Sequence, residues 1–210
     1  DLVTCSGSSF QGTTWLSALP GIGDATFGLP ATVPLLQGLK PCRFDSKDAD
    51  AAGRADLVVL VNTPDQVLGL RWLRSTGESF EEAGSAVLGP AGLLTWYDYG
   101  APLVVDADQD GLLDVLACVG GAVESQGTVW FVPGAGGFSL GQAVPSSVLA
   151  RQGWGGASFQ LGDVDNDGIA DILTKGEEID DMVAFGLGDG RFDGPVRLDI
   201  GLGNDDVALA

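Results

Sequence analysis

The chain has 210 residues, 45% of them hydrophobic and 19% charged, enough apolar material to bury the core of one large domain or two small ones; its 33 glycines keep no Gly-X-Y period, which excludes collagen and suits turns between many short strands. Twenty-nine acidic residues against ten basic ones give a formal net charge of -19, a surface that repels phosphate backbones and anionic lipid headgroups, so neither nucleic acid nor a membrane is an expected partner. The absence of histidine removes Ser-His-Asp and Cys-His catalysis and imidazole-based zinc sites.

In chain order, Asp1 begins no signal-peptide pattern, and strands are predicted near 1-6, 13-19 and 27-34. A strand near 38-45 leads into the acidic stretch Asp48-Ala-Asp50-Ala-Ala52-Gly53-Arg54-Ala-Asp56, followed by strands near 56-62, 66-73 and 79-88. The aliphatic run Leu57 to Val61 is far too short to cross a bilayer. Next come a strand near 98-105, the stretch Asp106-Ala-Asp108-Gln-Asp110-Gly111-Leu112-Leu-Asp114, and strands near 114-119, 127-133 and 138-148. The fourth passage has a strand near 157-162, the stretch Asp163-Val-Asp165-Asn-Asp167-Gly168-Ile169-Ala-Asp171, and strands near 171-175, 181-187 and 191-199; a last strand covers 204-210. Cys5, Cys42 and Cys118 are an odd set without CxxC spacing and are read as small buried apolar groups.

The acidic stretches share the pattern D-x-D-x-D-G-x-x-D, complete in the second and third copies and with alanine at position 5 in the first. Trp15, Trp72, Trp130 and Phe185 then recur at similar distances, followed by Phe27, Phe80, Phe138 and Phe192, so the first four are expected to share one structural position between packed sheets. Such a unit has the length and strand count of one four-stranded antiparallel propeller blade. The expected fold is therefore an all-β propeller of four blades, a single domain over 1-210 with units 204-210 plus 1-36, 37-90, 91-150 and 151-203. Its C-terminal strand would close onto the N-terminal strands and leave no free edge; the alternative is a piece of a six- to eight-bladed chain.

Alternating carboxylates, a glycine and a fourth carboxylate make an oxygen cage for a hard cation, and such a pliable, anion-rich loop suits calcium better than magnesium. The expected ligands are Asp106, Asp108, Asp110 and Asp114 with the carbonyl of Leu112, and Asp163, Asp165, Asp167 and Asp171 with the carbonyl of Ile169. A third, weaker site has Asp48, Asp50 and Asp56 with the carbonyl of Arg54, and Asp45 stands by as an unplaced substitute ligand. A helix-loop-helix calcium site is excluded by Val59, Ala117 and Thr174, which stand where that motif needs glutamate.

These loops, with Phe185-Gly186 and Asp193-Gly-Pro195, resemble the FG-GAP or VCBS repeats of integrin-α-like β-propellers. The resemblance implies that the loops join the first two strands of each blade and that their calcium is structural. It also implies an extracellular adhesion or carbohydrate-binding module, with some polysaccharide lyases sharing the architecture.

Weak calcium sites fill only where free calcium is high, which points to a secreted or cell-surface protein. Strand alternation puts the calcium loops on one face of the ring and Trp96, Tyr97, Tyr99, Arg151 and Trp154 on the other, where aromatics would stack on sugars or anchor a protein partner. The expected function is a non-catalytic binding module for protein or glycan; the alternative is a polysaccharide lyase or an accessory domain of one.

Overall fold

The computed structural model describes residues 2–7, 13–19, 21–23, 26–29, 31–37, 43–62, 67–90, 101–120, 126–150, 158–175 and 182–198. Every regular element among them is a strand. The first sheet contains β1 (Leu2–Gly7), β2 (Thr13–Leu19) and β5 (Ala31–Gln37), with a two-stranded ribbon of β3 (Gly21–Gly23) and β4 (Thr26–Phe27) between β2 and β5. Three four-stranded sheets follow. The second is β6 (Arg43–Lys47), β7 (Asp56–Asn62), β8 (Val67–Ser75) and β9 (Phe80–Pro90). The third is β10 (Leu103–Val105), β11 (Asp114–Gly120), β12 (Gln126–Val132) and β13 (Val144–Ala150). The fourth is β14 (Ser158–Gly162), β15 (Asp171–Lys175), β16 (Met182–Ala184) and β17 (Val196–Arg197). Neighbours in these three sheets are consecutive in sequence and antiparallel, and in the first sheet β2 pairs directly with β5.

Successive sheets stack face to face. Leu57, Val59 and Val61 of β7 pack with Leu16 of the first sheet, while Val58 and Leu60 of the same strand pack with Val104, Val115 and Ala117 of the third. This explains why Leu57 to Val61 is an unbroken aliphatic run: alternate residues point to opposite faces, and both faces are buried. β11 behaves alike, with Val115, Ala117 and Val119 facing the second sheet and Leu116 and Cys118 facing Phe159, Ile172 and Ala184 of the fourth. Cys118 is fully buried there, as expected of a small apolar group.

Two cross-links reinforce the stack. Asp45 on β6 accepts N–H bonds from Val104 (2.8 Å to Oδ2) and Ser46 (2.8 Å to Oδ1). Its carboxylate thus ties two first strands together and stands outside the acidic cluster of loop 48–56. At the other side of the sheets, Ser146 Oγ on β13 donates to the Gly190 carbonyl at 3.0 Å and accepts from Phe192 N–H at 3.1 Å.

The tryptophans do not share one position, contrary to expectation. Trp72 pairs with Val58, but Trp130 pairs with Ala117 and it is Phe131 that pairs with Leu116, the equivalent of Val58. Asn62 pairs with Leu68, whereas the equivalent Gly120 pairs with Gly127, so one extra residue separates β11 from β12. A one-residue slip turns a side chain to the other face of a sheet. Trp72 therefore faces forward to the third sheet, and Trp130 faces back onto β9, near Gly89. Phe185 lies beyond the end of β16 and is half-buried.

The last strands of the third and fourth sheets also start later than expected, at Val144 and Val196. Phe138 and Phe192 sit in the preceding turns, tied by the isolated bridges Gly134 to Leu140 and Gly186 to Phe192, because their rings pack on the preceding sheet. The expected closing strand at 204-210, and with it the blade count, lies outside the described residues.

Candidate metal centre

Each acidic loop is a connection between the first and second strands of a sheet, folded by its own carboxylates. In loop 163–171, Asp163 accepts the N–H groups of Asp167 (3.0 Å) and Gly168 (2.9 Å), and Asp167 accepts Ile169 N–H at 2.8 Å. Loop 106–114 is similar, with Gly111 N–H on Asp106 (3.1 Å), Asp110 N–H on Asp108 (3.1 Å) and Leu112 N–H on Asp110 (2.7 Å). In loop 48–56 alanine replaces the fifth aspartate, yet Asp48 still accepts from Ala52 (3.0 Å) and Gly53 (2.8 Å). The sixth-position glycines Gly53, Gly111 and Gly168 have φ between 74° and 88°, the left-handed region where a Cβ is disfavoured.

The ninth-position aspartates anchor the loops. Asp56, Asp114 and Asp171 are almost wholly buried. One oxygen of each accepts from the second loop residue: Ala49 at 2.9 Å, Ala107 at 2.8 Å and Val164 at 2.7 Å. The other accepts from the residue at or just past the end of the third strand: Ser75 at 2.8 Å, Gly134 at 2.7 Å and Gly186 at 2.8 Å. Each carboxylate thus ties the acidic loop to the turn between the third and fourth strands, which places both connections at one end of the sheet. A Cβ on Gly134 or Gly186 would run into the carbonyl of Leu113 or Ala170, so close approach requires glycine where the carbonyl of the eighth loop residue meets the turn. Gly186 is the glycine of the Phe185-Gly186 dipeptide.

The fold brings carboxylate oxygens of Asp48, Asp50 and Asp56, of Asp106, Asp108 and Asp114, and of Asp163, Asp165 and Asp167 within 4.8 Å of one another in each loop. Asp110 and Asp171 lie outside these groups. Arg54, Leu112 and Ile169 stand at the seventh position of their loops; Arg54 and Leu112 are exposed and Ile169 half-buried.

Desolvation first, with like charge adding to it, raises two of these carboxyls. Burial pushes the Asp114 carboxyl above the usual aspartate value; N–H bonds from Gly134 and Ala107 oppose this, and repulsion from Asp108 adds to it. Desolvation, then the charges of Asp167, Asp171 and Asp163, push Asp165 up as well. Asp106 Oδ1 is buried and has no hydrogen-bond partner. A carboxylate oxygen shielded from water and without a donor is poorly solvated unless a cation takes that place. The donor set, all oxygen and strongly anionic, fits a hard divalent ion of calcium's kind.

Residues 106–174 match the FG-GAP-like repeat family, a span that opens on the first aspartate of the second loop and runs through the third loop into β15. That span carries an FG-GAP-like repeat. No curated protein matches the chain. The residues expected to form a ligand face, Trp96, Tyr97, Tyr99, Arg151 and Trp154, lie outside the described residues.

Two features of the site had no signature in the sequence pattern. The N–H donors Ser75, Gly134 and Gly186 lie 15 to 20 residues from the aspartates they satisfy, and only the glycine after the third strand hints at them. Gln109, at an unassigned position of the pattern D-x-D-x-D-G-x-x-D, reaches into the neighbouring loop.

Proposed function

We propose that the chain is a calcium-stabilised β-propeller module that works outside the cell as a non-catalytic binder of a protein or glycan. The observation that carries the calcium reading is the buried, donor-less Asp106 Oδ1 beside the carboxylates of Asp108 and Asp114. Three such clusters in register, with an FG-GAP-like repeat over two of them, support the propeller; in this reading residues 204-210 supply the first strand of the first sheet and close a ring of four blades.

Asp106, Asp108 and Asp114 would hold one ion, with Asp110 and the Leu112 carbonyl completing its shell. Asp163, Asp165, Asp167 and Asp171 with the Ile169 carbonyl would hold a second, and Asp48, Asp50 and Asp56 with the Arg54 carbonyl a third. Calcium supplies positive charge that relieves the repulsion among these carboxylates, and so links ion binding to folding. Such sites fill at millimolar free calcium, the extracellular range.

The ligand would engage the face away from the loops through Trp96, Tyr97, Tyr99, Arg151 and Trp154. Thermal melting with calcium and with a chelator tests the first part of the reading: the midpoint should fall by several degrees in chelator, and an unchanged midpoint would contradict it. Binding to a glycan array, lost on Trp96→Ala or Trp154→Ala without change in melting, tests the second part; an unsaturated product from a polyuronate would instead show an enzyme.

A further inference from the structure

Gln109 Nε2 donates to the Gly168 carbonyl at 2.9 Å, joining two acidic loops across 59 residues of sequence. Both ends are set into the frames of their loops. Gln109 stands between Asp108 and Asp110 with φ 62°, a left-handed conformation that residues with a Cβ seldom adopt. The next N–H, that of Asp110, donates to Asp108 Oδ1 at 3.1 Å. At the other end, the peptide group that presents the Gly168 oxygen also carries Ile169 N–H, which donates to Asp167 Oδ1 at 2.8 Å. One planar unit therefore has its oxygen held by Gln109 and its N–H held by a carboxylate of the third loop. A peptide group turns as a whole, so moving Asp167 toward an ion moves the acceptor that Gln109 holds. In loop 48–56 the same position is Ala51, also left-handed at φ 55°, and its side chain has no donor.

The geometry points to Gln109 as a positioning residue that couples cation binding in loop 106–114 to cation binding in loop 163–171. This inference rests on the calcium reading above. Filling one loop fixes the peptide frame of the other, and the coupling is reciprocal because it is a free energy shared between two sites. Its size is that of one neutral hydrogen bond, a two- to roughly tenfold change in affinity.

The test is an amide NMR titration of the calcium-depleted full chain, in which Gly111, Gly168 and Gly53 report their own loops. Disabling the third loop with Asp163→Asn and Asp165→Asn should weaken calcium binding at Gly111 about two- to tenfold in the protein that retains Gln109. The same pair of substitutions should leave Gly111 unaffected in a Gln109→Ala background, and equally in Gln109→Gly, which removes the donor while keeping a left-handed backbone accessible. Gly53 should titrate identically throughout. Equal losses at Gly111 with and without Gln109, or no loss in either, would overturn the coupling while leaving the calcium sites standing. Failure of all three glycines to respond to calcium would overturn the calcium reading and the coupling together.

Discussion

Trp72 and Phe138 meet edge to face across the second and third sheets, with ring centroids 5.9 Å apart and planes at 78°. At the next interface Phe131, which occupies the sheet position of Trp72, belongs to the same core as Phe192, which stands where Phe138 does. Both interfaces thus bury a third-strand aromatic and the turn phenylalanine of the next sheet in one core. Trp72→Ala should cost about 3–5 kcal/mol in urea unfolding, and Phe138→Ala, half-buried, about 1.5–3 kcal/mol. The double variant should lose about 0.5–1.5 kcal/mol less than the two costs added; strict additivity would mean that the rings do not interact.

The aspartates of one loop should respond to substitution with opposite signs. In chelator, Asp165→Asn relieves a carboxylate crowded by Asp167, Asp171 and Asp163, so the metal-free protein should melt slightly higher. In calcium the same variant loses an ion contact and should melt lower than the parent. Asp171→Ala should destabilise under both conditions, because it strands the N–H groups of Val164 and Gly186 at a cost of about 1–3 kcal/mol each. Melting curves of both variants with and without calcium separate the two roles.

Two carboxylates should contribute to the pH response in chelator with a sign opposite to that of the usual acid denaturation. Asp114 and Asp165 have folded-state pKa values raised above the ordinary aspartate value, so in the window just above about pH 4 the folded chain binds more protons than the unfolded one. Their contribution favours folding as pH falls into that window and is lost as pH rises through it. Asp189, lowered by its hydrogen bond to Arg191, contributes stability that is lost only as pH falls below the window. Protons compete with calcium for the same oxygens, so the gap between melting points in calcium and in chelator should shrink between pH 7 and pH 4.5. A gap independent of pH would mean that these carboxylates are not the calcium ligands.

The loops are legible in the sequence because the clustering is local: alternate aspartates and a glycine within nine positions suffice to bring Asp106, Asp108 and Asp114 together. The buried strand β7 was equally plain from Leu57 to Val61. What escaped the pattern depends on distant parts of the chain. One additional residue between β11 and β12 sends Trp130 to the opposite face from Trp72, and conserving the spacing from Asp114 to Trp130 concealed that slip. Asp45 stands near the first loop in sequence, but the bond its carboxylate accepts comes from the N–H of Val104, 59 residues away, which no local pattern announces.

The most direct measurement is equilibrium dialysis of the chelator-stripped chain against radioactive calcium at millimolar concentration. Two to three ions per chain should be retained, falling by one in Asp106→Ala with Asp108→Asn. A chain that stays folded and retains none would contradict the claim that these carboxylate clusters exist to hold ions.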